Sequence, residues 1–407
     1  MVTFLPSRPG RLADVPSFAR AIGGAESNVA CALAAAGHRV KWVGRVGRDG
    51  FGQHLVETIG AYGVDVTAVG RDPHRPTGVY FRTATDRATE THEVVYYRAG
   101  SAASAMSPET VPYGSVADAR ILHLTGITAA LSADCLALTR ELTAPRPGRP
   151  LVSFDVNHRP GLWRDGTAPD VLLTLARRAD LVFVGADEAE ALWGLRDPAS
   201  IRAVLPEPAV LVVKRSGEGA VVFERCAAPS PTRPLPEPGA PPPDPRDSNS
   251  PYAWRRGATP SAAEIPPAGR KPPGAPGPAP VPASAPASVP VPASSPALVP
   301  ASAPSPAPAP DTVTSVPAPR VDVVAPTGAG DAFAAGFLSA TLRGLDMTAR
   351  LRHGHLMAAA ALTVPGDVAV PPRRAHADRL AALDAGAWET LHLGPGWTGD
   401  DQEVRTP

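Results

Sequence analysis

Apolar residues along this chain come in two kinds of run. Short, mainly apolar blocks, Val40–Val43, Ile121–Leu124, Leu151–Phe154, Leu181–Val184 and Val210–Val213, have the length of strands. Such blocks suit a parallel sheet, whose strands are covered on both faces. Between them lie stretches with helical spacing: Glu26–Ala36, Ala133–Leu142, Asp170–Arg178 and Glu188–Leu192. Strand and helix therefore alternate, which predicts an α/β fold with helices on both faces of one sheet. Gly78–Arg98 breaks the rule. Its Tyr, Phe, Val and Thr residues have no helix between them and predict antiparallel strands, a small flap over the ligand edge of the sheet.

Composition adds a boundary. The chain has 407 residues and 51 prolines, and 30 of those prolines fall between Pro229 and Arg320. Proline donates no backbone hydrogen bond, and the accompanying Ala and Ser offer little apolar area to offset ordering entropy. The segment predicts a disordered or polyproline-like insertion rather than a domain. The expected organisation is a folded part over 1–226 with the flap at about 78–98, an insertion over 227–320, a second folded part over 321–395 and a flexible tail over 396–407. Within the insertion, Tyr252–Arg256 stands out as the one candidate docking patch.

Charge and cysteine narrow the class. Lys plus Arg equals Asp plus Glu at 39 each, so no global field recruits nucleic acid or an anionic membrane. Cys31, Cys135 and Cys226 are odd in number and far apart, the pattern of neither a disulfide framework nor a zinc site. The opening Met1–Pro6 does not resemble a signal peptide, and no run approaches the roughly 18 apolar residues of a membrane span. A cytoplasmic protein is expected.

The chemistry concentrates in Thr327-Gly328-Ala329-Gly330-Asp331-Ala332-Phe333. A strand-like Val321–Val324 precedes it, and Asp331–Arg343 reads as a helix closed by Gly344. Glycines let the backbone approach an anion, and amides at a helix start hold negative charge. A carboxylate there can take the proton from an attacking hydroxyl in phosphoryl transfer. A capping Asp in a Gly-rich turn is the plain alternative. No GxxxxGK[ST] is present, which disfavours a P-loop enzyme.

Gly-Ala-Gly-Asp-Ala-Phe at 328–333 resembles the signature of ribokinase-like (PfkB) carbohydrate kinases. Gly23–Ala30 followed by Gly44–Asp49 resembles that family's amino-terminal signature. The likeness spans nearly all of the chain outside the insertion. It implies a three-layer α/β/α sandwich with a β lid, ATP and Mg²⁺ as cofactors, and Asp331 as catalytic base. Tyr96–Ser104 and Ser153–Arg159 look like the branch that phosphorylates 2-keto-3-deoxygluconate. By that resemblance Gly24, Tyr80, Tyr96, Arg98, Arg159, Asp331 and Asp367 contact a sugar acid. An arginine fork suits a carboxylate, and tyrosines offer a flat face with a hydroxyl.

On the nucleotide side the resemblance implies Asn157, Arg159, Lys214, Ser216, Gly217, Gly219, Gly328, Ala329 and Gly330. Ser216 stands where the family has glycine. Glu188 matches a glutamate that organises Mg²⁺ through water, and Ala325 replaces an acidic residue that helps bind a monovalent cation, so such a cation is not expected. Relatives open with a strand ending in Gly-Glu before residues like Met1–Ser7. Its loss is expected to leave unpaired backbone on neighbouring strands, from either an upstream start or a truncated enzyme. The expected partners are the sugar acid and ATP, with self-association and a partner of the Pro-rich insertion left open. Alternatives are a fructose or other neutral-sugar kinase, and a catalytically weak sugar-acid-binding protein with a docking loop.

Overall fold

A computed structural model describes residues 1–83, 93–225 and 311–399. The expected insertion up to residue 310, its Tyr252–Arg256 patch, Cys226, the flap's centre and the last tail residues lie outside the described residues.

Two antiparallel strands open the chain, β1 (Val2–Pro6) and β2 (Phe18–Ile22), followed by α1 (Ala25–Ala35). Next come β3 (Gly44–Gly47), α2 (Gly50–Ala61), β4 (Val69–Asp72), β5 (Val79–Arg82) and β6 (Val94–Tyr97). The main alternation then runs through β7 (Ile121–Thr125), α3 (Gly126–Ala129), α4 (Ala133–Leu142), β8 (Leu151–Asp155), α5 (Ala168–Arg177), β9 (Leu181–Gly185), α6 (Ala186–Trp193), α7 (Pro198–Val204) and β10 (Val210–Lys214). It ends with β11 (Ala220–Arg225), β12 (Asp311–Val316), β13 (Arg320–Val321), α8 (Ala329–Leu342), α9 (Met347–Leu362), α10 (Arg374–Ala381), α11 (Ala385–Glu389) and β14 (His392–Leu393).

The central sheet has the order β12-β11-β10-β9-β8-β7, with β7 to β10 parallel and the last two strands antiparallel. Its central strands are mainly apolar because both faces are covered. On β9, Val182 and Val184 join a core containing Leu138 of α4, Leu172 and Leu175 of α5 and Ile201 of α7. Leu181 and Phe183, on the other face, join a core with Val29 of α1, Phe333 and Phe337 of α8 and Leu356 of α9. The three-layer sandwich expected from the sequence is present.

Several expectations need correction. Val40–Val43 is not a strand: Lys41 makes one isolated bridge to Asp65, and the strand is the next four residues, β3, paired with β4. Val40 and Trp42 instead plug a third small core beside Ile59 and Leu55 as loop side chains. The flap is twice as large as Gly78–Arg98 suggested, because β1 and β2 join it in the order β2-β1-β5-β6. Phe4 and Phe81 stack at 4.6 Å across β1 and β5, which secures that union. Residues 311–320, assigned to the insertion from the sequence, include β12, whose β-branched Thr312-Val313-Thr314 pairs with Phe223 and its neighbours. The insertion therefore interrupts a hairpin. Its neighbours Arg225 and Asp311 are paired at the Val210 end of β10, opposite the Lys214 end. The strand-like Val321–Val324 shrinks to β13. The tail also begins later than 396, since Trp397 is buried against the second core. Finally, β7 pairs with β8 alone among the described residues.

Candidate active site

The loop 325–331 enters α8 through Gly328, whose φ of 83° is the left-handed conformation that glycine adopts without strain. No side chain caps this helix start, so its first amides remain available to an anion. Asp331 is the third helical residue. Asn28 of α1 donates its Nδ2 to Asp331 Oδ2 at 2.8 Å, and Asn157 donates its own to Oδ1 at 3.3 Å. Burial pushes the Asp331 carboxyl up to about 7, with Asn28 opposing the shift and the negative Asp155 adding to it. The Oδ1 atoms of both asparagines are buried without a partner, leaving two acceptors beside the carboxylate.

Lys214 ends β10 on the far side of the same loop. Its Nζ donates to both oxygens of Asp155, at 2.8 and 3.1 Å, across the ends of β8 and β10. Burial pulls this ammonium's pKa down, but the Asp155 and Glu188 carboxylates outweigh it and the net shift is upward. A Cβ built on Gly330 would lie 3.6 Å from Nζ, so the glycine leaves a gap between the helix start and a fixed cation. Amides, an ammonium and a carboxylate converge there, which fits a phosphate being transferred beside a base.

The remaining nucleotide candidates sit on the next turn. Ser216–Glu218 form one 3-10 turn, with Ser216 at φ 49° and Gly219 at φ 112°. Ser216 thus occupies a left-handed position with a side chain, a conformation that a glycine would adopt without strain. Gly217 has open space around it. Glu188 is partly buried, and desolvation pushes its pKa up. Its Oε2 accepts from the Gly185 amide at 2.9 Å, and Oε1 is 3.7 Å from Arg159. Among the described residues no three His, Cys, Asp or Glu side chains cluster as a metal cage. A Mg²⁺ at this site would take most of its oxygen ligands from phosphate and water, which is its usual habit.

The lid supplies the other wall. Tyr80 is buried and donates its hydroxyl to Asp367 Oδ2, while Gly23 packs against both. Tyr96 is opposite Tyr80 across β5 and β6, and the Arg98 guanidinium lies 4.6 Å above the Tyr96 ring. Arg98 Nε is buried without an acceptor, and among the described residues no carboxylate forms an ion pair with it. Burial lowers its pKa, and the like charge of Arg159 pulls the same way. Gly24, at φ 141°, caps α1 beside this pocket.

Asn157, expected at the nucleotide, directs its side-chain amide to Asp331 Oδ1. Asn28 and Asp155 lie inside the sequence motifs but carried no expected role, and Arg82 lies outside those motifs.

The sequence matches the pfkB family carbohydrate kinase profile over residues 2–249 and 309–374. The chain belongs to this family. It is 36% identical over 219 residues to a 2-dehydro-3-deoxygluconokinase of Thermoproteus tenax, covering 53% of this chain and 66% of that protein. It is 37% identical over 204 residues to the enzyme of that name from Bacillus subtilis, covering 49% and 62%. The match thus spans less than two thirds of either relative's length. Fructokinase-1 of Zea mays is 29% identical over 230 residues, 55% of this chain and 71% of that one. Among solved structures, a PfkB protein from Polaromonas sp. JS666 superposes with TM-score 0.63 at 27% identity, over 93% of this chain and 96% of that chain. A putative ribokinase II from E. coli in complex with ATP and Mg²⁺ shares the fold, with TM-score 0.64 at 18% identity over 93% and 95%.

Proposed function

We propose that this PfkB-family chain transfers the γ-phosphoryl group of ATP to the 6-hydroxyl of 2-keto-3-deoxygluconate. Arg98 carries the acid part of that reading. A buried guanidinium donor without an acceptor is costly, and a carboxylate offers it both a hydrogen bond and a counter-charge, where a neutral sugar hydroxyl offers only the first. The 2-dehydro-3-deoxygluconokinase relatives support the same choice.

ATP supplies the phosphoryl group, with Mg²⁺ neutralising charge on its phosphates. The residues then divide the work. Arg98, with Tyr96 beneath it, holds the sugar's carboxylate, and Tyr80, Gly24, Arg159 and Asp367 complete that wall. The Oδ1 atoms of Asn28 and Asn157 accept from sugar hydroxyls flanking Asp331. Asp331, tuned near neutrality, takes the hydroxyl proton as the oxygen attacks. The amides of Ala329 and Gly330, with Lys214 behind them, hold the charge that develops on the phosphoryl oxygens. Ser216, Gly217 and Gly219 border the nucleotide, and Glu188 would help hold a Mg²⁺ ion through water.

Fructokinases among the relatives keep a neutral-sugar kinase as the second reading. An ATP-consumption screen over sugar acids and neutral sugars separates the two. Preference for 2-keto-3-deoxygluconate is expected. Preference for fructose overturns the acid assignment alone, and no consumption with any sugar overturns the kinase reading.

A further inference from the structure

One partner of a buried ion pair, Arg82, has no role assigned so far. Arg82 ends β5, and its Nη2 is 3.1 Å from Asp367 Oδ1, with side chains only 4% and 3% exposed. The same Nη2 donates to the Pro365 carbonyl. Tyr80, two residues earlier and so on the same face of β5, donates to the other Asp367 oxygen. One lid strand therefore holds both oxygens of a carboxylate that belongs to the loop between α9 and α10.

The backbone of that aspartate makes a second contact. A Cβ at Gly328 would meet the Asp367 carbonyl oxygen at 2.4 Å, so the turn of the anion loop rests directly on Asp367. Arg82, Asp367 and Gly328 thus form a continuous packed path from the lid to the start of α8. Both contacts come from the one nitrogen, Nη2, so the charge and the reach of the arginine side chain hold Asp367 and Pro365 together, and a shorter lysine keeps the charge without the full reach.

We infer that Arg82 is a positioning residue that fixes Asp367, and through it the Gly328 turn, so that filling the sugar site under the lid tightens the nucleotide site. The ligands named here rest on the kinase reading above. The sugar acid packs on Tyr80, Tyr96 and Arg98 of the two central lid strands. Restraining Tyr80 restrains Arg82, and the restraint reaches the anion loop without any ligand touching Arg82.

Two readouts on wild type, Arg82→Lys and Arg82→Met test this. The first is amide hydrogen exchange of residues 325–333 in the ligand-free protein, with 151–155 as reference. Arg82→Met should speed exchange in 325–333 about tenfold and leave the reference unchanged, with Arg82→Lys between. The second is the Kd of a non-hydrolysable ATP analogue with and without 2-keto-3-deoxygluconate. The keto acid should tighten the analogue about tenfold in wild type, less in Arg82→Lys and hardly at all in Arg82→Met. Equal loosening of both segments, or an unchanged exchange pattern with the full coupling ratio, overturns the inference. If Arg82→Met fails to fold, Arg82→Lys decides by the same criteria. If wild type binds neither ligand, the kinase reading falls, and the exchange comparison still judges Arg82.

Discussion

At the scale of residues, the site depends on a carboxylate kept half-way to neutral. Asp331 should make kcat/KM rise with pH through about 7 and level off above, as the base loses its proton. Asp331→Asn should lower kcat by roughly 10²–10⁴ and abolish that limb; near-wild-type turnover would sink the assignment. The same shift predicts a stability trend of fixed sign. The unfolded carboxyl titrates near 3.8 and the folded one near 7, so the unfolded chain gives up its proton first. Stability of the ligand-free protein should therefore fall as pH rises between these values, and the asparagine variant should lack that slope in chemical denaturation. Arg98→Ala should cost sugar-acid use roughly 1.5–3 kcal/mol in kcat/KM, the scale of a charge-assisted hydrogen bond. A variant as efficient as wild type would show that the carboxylate is held elsewhere. Asp331 was legible because chemistry and glycines sit side by side in seven residues. Asn28 was not, because it lies some 300 positions from the base it holds, and nothing local marks an amide that points across two elements.

At the scale of elements, strands buried on both faces declared themselves and strands of the lid did not. β8, β9 and β10 start where their apolar blocks start, since coverage on both sides selects apolar residues along most of each run. The lid strand β2, Phe-Ala-Arg-Ala-Ile, carries exposed positions and an arginine, and only its pairing with β1 makes it a strand. β12 was hidden by its surroundings, six ordinary strand residues next to a long proline-rich stretch. Its first residue is secured from outside: Asp311 accepts from Arg202 Nε at 2.7 Å and Nη2 at 2.8 Å. Arg202 also donates to the carbonyls of Leu205 and Pro208. Asp311→Asn should destabilise by about 1–3 kcal/mol, because a largely buried guanidinium loses its counter-charge. Denaturant midpoints indistinguishable from wild type would mean that Arg202 finds its support in the two carbonyls alone.

At the scale of the molecule, Arg225 and Asp311, the described residues on either side of the insertion, lie at the end of the sheet opposite the site. From Lys214 to Val210 the strand climbs about 13 Å at roughly 3.3 Å per residue, and Arg225 and Asp311 lie at the Val210 end. Replacing residues 227–308 with a short Gly-containing turn should leave soluble expression and the steady-state constants close to those of the full chain. Loss of either would show that the segment contributes to the folded unit. The alternation of strand and helix was enough to anticipate the layered architecture, but not which interruption was a loop and which a hairpin. That distinction depends on pairing between residues nearly ninety positions apart, and no window along the sequence reports it.

The interrupted hairpin also sets a timetable. Two-residue hairpins close early because their ends are already neighbours, but β11 and β12 must find each other across 85 intervening residues. At about 0.6 kcal/mol per doubling of loop length, that closure costs about 2.5 kcal/mol more than a five-residue turn would. The added cost falls mainly on the folding barrier if the hairpin forms before the barrier is crossed, and mainly on the unfolding rate if it forms afterwards. Shortening the insertion step by step and following refolding in stopped flow would read that order directly. A folding rate that climbs with each cut places β12 in the nucleus, and a constant rate makes it the last strand to dock on a sheet already built.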